Sequence, residues 1–100
     1  MGSGIDLIVR ADAKKDINRI ALYYDNIKDG LGSEFLKKLN AKLLLIRSFP
    51  EIGFLGPHNF RKVLLSRFPY AIYYFFESNL IEIEAVWHTS RLDTGWNSRL

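Results

Sequence analysis

Residues 70–88 read YAIYYFFESNLIEIEAVWH, and the fold turns on them. Tyr70 to Glu77 and Leu80 to His88 are rich in aromatic and β-branched residues, and Ser78-Asn79 between them is the length of a two-residue hairpin turn. Such a turn sets the register, because Glu77 then sits opposite Leu80. Counting back from the turn, Ile72, Tyr74 and Phe76 face Ala85, Ile83 and Ile81, and Tyr70 pairs with Trp87. Those six side chains are expected on one side of the ribbon, packed under helices. The other side carries Tyr73, Phe75, Glu82, Glu84, Val86 and His88, a mixed set suited to a face open to water or a partner.

Upstream, Arg61 to Ser66 reads as a third strand, joined to the hairpin through Pro69. Its register stays open: one connection length turns Arg61, Val63 and Leu65 inward and the other inverts them. Phe54 to Asn59 is a Gly- and Pro-containing loop. Before it, Phe35, Leu36, Leu39, Leu43 and Ile46 recur at helical spacing, on a helix starting near Ser33 and stopped by Pro50 and Gly53, with Lys37, Lys38 and Lys42 on its other side. An earlier helix, with Asp12 as its N-cap, buries Ala13, Ile17, Ile20, Tyr24 and Ile27. Asp29-Gly30 and Gly32 separate the two, so they form an antiparallel hairpin. Ile5 to Val9 is a first strand. The expected fold is α+β: an N-terminal strand, then an antiparallel helical hairpin packed on a small antiparallel β-sheet.

A chain of 100 residues suits one domain, assigned to residues 5–100, with residues 1–4 read as a flexible leader or tag remnant. With no cysteine, disulfides and thiolate metal sites are excluded, and no metal or other cofactor is expected. No stretch is apolar and long enough to span a bilayer, and a cytoplasmic protein is expected. A net charge of +3 suits a polyanionic target or an acidic partner.

The basic and aromatic residues gather in the C-terminal half: Arg61, Lys62, Arg67, His88, Arg91, Trp96 and Arg99. Guanidinium groups bind phosphate bidentately and aromatic rings stack on bases, so this set is a candidate target- or phosphate-binding surface. The blander alternative is a solvated basic rim with Trp96 anchoring the tail to the core. Histidine is the side chain whose ordinary pKa suits proton transfer near neutrality, which makes His88 a candidate acid, whereas His58 lies beside Pro57 without an obvious partner. Glu82 and Glu84 share a strand and read as solubilising charges.

The run Arg67-Phe68-Pro69-Tyr70-Ala71-Ile72-Tyr73-Tyr74, followed by Ile83-Glu84-Ala85-Val86-Trp87-His88-Thr89-Ser90-Arg91, resembles the C-terminal half of RelE/ParE-type toxins of type II toxin–antitoxin systems. Tyr23-Tyr24, Gly32-Ser33-Glu34-Phe35-Leu36, Phe49-Pro50-Glu51, Trp96 and Arg99 match in order and spacing. The resemblance implies the fold derived above, and a growth-inhibiting toxin neutralised by a cognate acidic antitoxin in a hetero-oligomer. Leu44, Leu45 and Phe54, off the helical stripes or in the following loop, are expected to contact that antitoxin.

The resemblance offers two targets. RelE-like members cut mRNA on the ribosome, and ParE-like members poison DNA gyrase. Lys62 falls on one lysine position of the nuclease set, but Leu64, Ala71 and Thr89 stand where other basic residues are found. The balance favours a gyrase poison. The enzyme alternative is an mRNA endonuclease with His88, Arg67 and Arg91 as catalytic residues. A third reading is a degenerate, non-toxic member that only binds its partner.

Overall fold

A computed structural model describes residues 4–92 and 95–100. Strand β1 (Asp6–Val9) leads into helices α1 (Ala11–Ile27) and α2 (Leu31–Ser48). These are followed by a two-residue strand β2 (Phe54–Leu55), a 3-10 turn (Pro57–Asn59), β3 (Arg61–Leu64), β4 (Tyr70–Glu77), β5 (Leu80–His88) and a second 3-10 turn (Gly95–Arg99). The sheet order is β1-β5-β4-β3-β2. All neighbours are antiparallel except β1, which runs parallel to β5, so the N-terminal strand extends the expected antiparallel meander into a mixed sheet. The loop expected from Phe54 to Asn59 contains both β2 and the first 3-10 turn.

The turn at Ser78-Asn79 is as short as expected. Both residues take positive φ, 52° and 63°, as a type I′ turn demands, and Glu77 pairs with Leu80. From there Phe76 meets Ile81 and Tyr74 meets Ile83. A bulge then intervenes: Tyr73 pairs with Ala85, so Glu84 is the extra residue of β5. Beyond it every side chain of β5 changes face relative to the simple count. Ile72 opposes Val86 rather than Ala85, and Tyr70 opposes His88 rather than Trp87. Val86 joins the helix-side core, while Ala85 passes to the other side.

The helix-side core holds Ala13, Ile20, Phe35, Leu39, Ile46, Ile72, Tyr74, Ile81, Ile83 and Val86, with Val63 and Leu65 packed from β3. The open register of that strand is thereby resolved with Val63 and Leu65 inward. Ile27, in the last turn of α1, falls outside the core at 59% exposed. Asp12 does not cap α1; Arg10 is the capping residue, without a side-chain hydrogen bond, and Asp12 lies in the first turn. Helix α2 begins two residues before Ser33. Gly30 supplies the left-handed turn at φ 86°, and Gly32 is already helical. A Cβ on Gly32 would lie 2.4 Å from the Ala21 carbonyl oxygen, so only glycine lets the helices approach this closely. The Gly32 N–H donates to the Asp25 carboxylate at 2.8 Å, so the first helix caps the second.

The far side of the sheet is not open. Phe60, Ala71, Tyr73, Ala85, Trp87 and Trp96 form a second buried cluster there. Trp96 rings lie 5.2 Å from Phe60 and 5.3 Å from Tyr73, centre to centre. The C-terminal turn is thus a cover for a face that alternation alone leaves half apolar.

Candidate functional site

The bulge decides what lies at the open end of the β4–β5 hairpin. It places His88 on the helix side, opposite Tyr70, with the two rings edge to face at 5.1 Å. The Thr89 N–H donates to the Pro69 carbonyl at 2.9 Å, which ties the chain leaving β5 to the chain entering β4. The Ser90 N–H donates to His88 Nδ1 at 3.0 Å, and Ser90 Oγ lies 2.7 Å from the same nitrogen. A backbone N–H can only donate, so Nδ1 accepts and the neutral ring carries its proton on Nε2.

His88 and Tyr70 form one wall of a cleft of about 380 Å³, shared with Arg19, Ile20, Tyr23 and Tyr24 of α1 and with Pro69. Burial raises the pKa of both Tyr24 and Tyr70 above 10.0, and their shared hydrogen bond raises Tyr24 while lowering Tyr70. Behind the cleft, Asp16 is fully buried on α1. Its carboxylate accepts from Arg99 Nη1 at 2.7 Å and Nη2 at 2.8 Å, and from the Val86 N–H at 3.0 Å. Arg19 reaches the same carboxylate only at 3.4 Å.

The residues expected to form a basic cluster go to different places. Arg67, at φ 73°, turns to an ion pair with Glu34 at the start of α2. Arg91 lies flat over Trp87, 3.8 Å from the ring centre, and Trp87 belongs to the far face of the sheet. Only His88 points into the cleft. Arg61 donates to the carbonyls of Glu51 and Gly53, both at 3.0 Å, and so fastens the loop after α2. Lys62, one residue on, places its ammonium 6.0 Å from the Tyr73 ring. Trp96 is wholly buried, and Arg99 is committed to Asp16 and to the Glu84 carbonyl at 3.3 Å; neither presents a surface to a target. Of the three expected antitoxin contacts, Leu44 and Phe54 are 68% and 79% exposed, and Leu45 is half-buried. Phe54 borders a groove with Leu55, Lys62 and Leu64.

Glu82 faces Arg10 at 3.5 Å, and burial with Glu82 as neighbour raises the Glu84 pKa. Among the described residues no three His, Asp or Glu side chains converge as metal ligands would. Asp16 and Arg19 were absent from the sequence-derived site. The signal for Asp16 was present: it is a charged residue lying on the apolar stripe between Ala13 and Ile20, and such a charge needs a buried partner.

The described residues form a helical hairpin on a five-stranded mixed sheet, closed by a C-terminal cover. Residues 7–93 match the family described as ParE toxin of type II toxin-antitoxin system, parDE, and the chain belongs to that family. Its fold is similar to a solved structure described as "Chromosomal ParDE TA system from P. aeruginosa", with a TM-score of 0.65 at 16% identity over 84% of this chain and 95% of that one. None of the curated proteins matches it. Among the described residues no helix is long and apolar enough to cross a membrane.

Proposed function

We propose that this chain is a cytoplasmic toxin, neutralised by a cognate acidic antitoxin, and that its free form inhibits growth by binding DNA gyrase rather than by cutting mRNA. The observation that carries the choice of target is the dispersal of the basic groups. Cutting RNA through its 2′-OH needs a base, an acid and phosphate-stabilising charge at one point. Leu64, Ala71 and Thr89 supply no charge. Arg67 is neutralised by Glu34, and the Arg91 guanidinium is stacked on Trp87. A protein target requires no such convergence. Arg91, Lys62 and the exposed apolar groups around Phe54 and Leu64 then serve as binding surface.

The nuclease alternative keeps one supporting observation, the Nε2 proton that His88 directs away from Ser90. Purified chain added to translating ribosomes and, separately, to gyrase with supercoiled DNA separates the two. Gyrase-dependent double-strand breaks support the proposal, and A-site mRNA cleavage supports the alternative. A folded chain inactive in both assays, and harmless when expressed alone, points to a non-toxic binding member.

A further inference from the structure

The cleft between α1 and the open end of the β4–β5 hairpin has no part in the gyrase reading, and its chemistry is one-sided. Arg19, His88 and the phenols of Tyr23, Tyr24 and Tyr70 line it with donors. Arg19 contributes a guanidinium whose one carboxylate neighbour, Asp16, is already held at shorter distance by both Nη atoms of Arg99. Two arginines thus share one carboxylate, leaving about one positive charge in excess at the cleft wall. His88 contributes Nε2–H, because its Nδ1 is occupied by Ser90. Tyr70 contributes a phenol hydroxyl, beside that of Tyr24, on the same wall as His88. The rest of the lining is apolar or aromatic: Ile20, Pro69 and the ring of Tyr23, which is 57% exposed.

We propose that this cleft is a carboxylate-reading subsite for the antitoxin: an Asp or Glu side chain of the bound antitoxin accepts hydrogen bonds from Arg19, His88 and Tyr70, while an adjacent apolar side chain packs on Tyr23. A carboxylate is an acceptor-only group, so it matches a cleft of donors. The occupant is a peptide rather than a nucleic acid, because a phosphodiester chain asks for repeated positive charge along its path. Arg67, which would extend the path, is neutralised by Glu34, and Arg91 is held on Trp87 at the rim, where its charge still reaches Tyr70. A short cluster of positive charge beside an apolar floor fits a carboxylate beside one apolar side chain.

The inference rests on the antitoxin reading, and its test keeps the two apart. The affinity of the antitoxin encoded beside this gene is measured for the wild-type chain and for Arg19→Glu, Arg19→Lys and Tyr70→Phe. Arg19 is 59% exposed at its side chain, so these changes leave the core intact, which circular dichroism checks. Arg19→Glu is expected to weaken binding by about tenfold or more and Arg19→Lys by much less, with Tyr70→Phe between them. Changing one antitoxin Asp or Glu to Lys is expected to restore binding to Arg19→Glu and not to wild type. Wild-type affinity in Arg19→Glu overturns the subsite while leaving the antitoxin reading standing. Failure of the wild-type chain to bind overturns both. A single-stranded oligoribonucleotide that binds wild type and loses binding in Arg19→Glu reassigns the cleft to nucleic acid, which also overturns the proposal.

Discussion

Arg99 reaches around the free edge of β5 and grips Asp16 of α1 with both Nη atoms, at 2.7 and 2.8 Å. Strand β1 pairs with β5 only from Leu80 to Ile83, so beyond Ile83 the edge has no neighbouring strand. Asp16 accepts the Val86 N–H of that edge, and Arg99 donates to the Glu84 carbonyl. One ion pair thereby completes the sheet, joins the first helix to the last turn, and holds Trp96 over the second core. The hydrogen bond to Asp16 is the chief cause that holds Arg99 in its charged state, against burial, which opposes it.

Removing one partner leaves a buried charge uncompensated, which costs far more than the pair itself contributes. Arg99→Ala is therefore expected to lower the unfolding free energy by about 3–5 kcal/mol, read by urea denaturation. Arg99→Lys should recover part of the loss, since it restores the charge without the fork geometry. An Arg99→Ala chain as stable as wild type would remove the pair from any structural role.

Tyr74 accepts from the Gly53 N–H at 3.1 Å and donates to the Pro50 carbonyl at 2.7 Å, pinning the loop after α2 onto the sheet. Tyr74→Phe keeps the ring and loses both bonds. A destabilisation of about 1–3 kcal/mol is expected, because the polar groups left behind are shielded from water. Faster amide exchange at Gly53, with the sheet amides unaffected, would place the loss in that loop.

The Glu84 carboxyl is held above its ordinary value of 4.5 by burial first and Glu82 second. A raised carboxyl pKa means the folded state binds the proton more tightly than the unfolded one. Stability from this group therefore falls as pH rises from about 4.5 through the raised value, and the penalty persists at neutrality. Glu84→Gln should be more stable than wild type at neutral pH, and the advantage should vanish below pH 4.5. Denaturation midpoints across that range check the sign; an advantage that grows on acidification would reverse it.

The elements themselves were legible because periodicity and turn chemistry report them: the 3.6-residue stripe of α2 and the two-residue turn at Ser78-Asn79 both appear in the structure. The bulge at Glu84 was not read, because the count from the turn runs straight through it; the local mark is that alternation breaks just after Glu84, at the apolar run Ala85-Val86-Trp87. That single residue moved Val86 and His88 to the helix side and Ala85 and Trp87 to the other. The burial of the far face was equally hidden, because it depends on Trp96 returning across the sheet. For the site, sequence proximity grouped Arg67, His88 and Arg91, whereas the hairpin corner turns one to α2, one to α1 and one to Trp87. Asp16 and Arg19 lie far from them in sequence, so no motif joined them.

If toxicity acts through a protein target, charge on the surface should matter more than proton transfer. Arg91→Ala is expected to reduce toxicity in a growth assay more than His88→Ala, with both chains folded. A nuclease would show the reverse, because losing a general acid commonly lowers rate by about 10²–10⁴-fold.

The choice of target is tested most directly by expressing the chain without its antitoxin and following DNA and protein synthesis separately by pulse labelling. DNA synthesis is expected to fall first, with double-strand breaks, and the chain to co-purify with gyrase while mRNA stays intact. Early arrest of protein synthesis with mRNA cut on the ribosome, and lost in His88→Ala, would contradict the account.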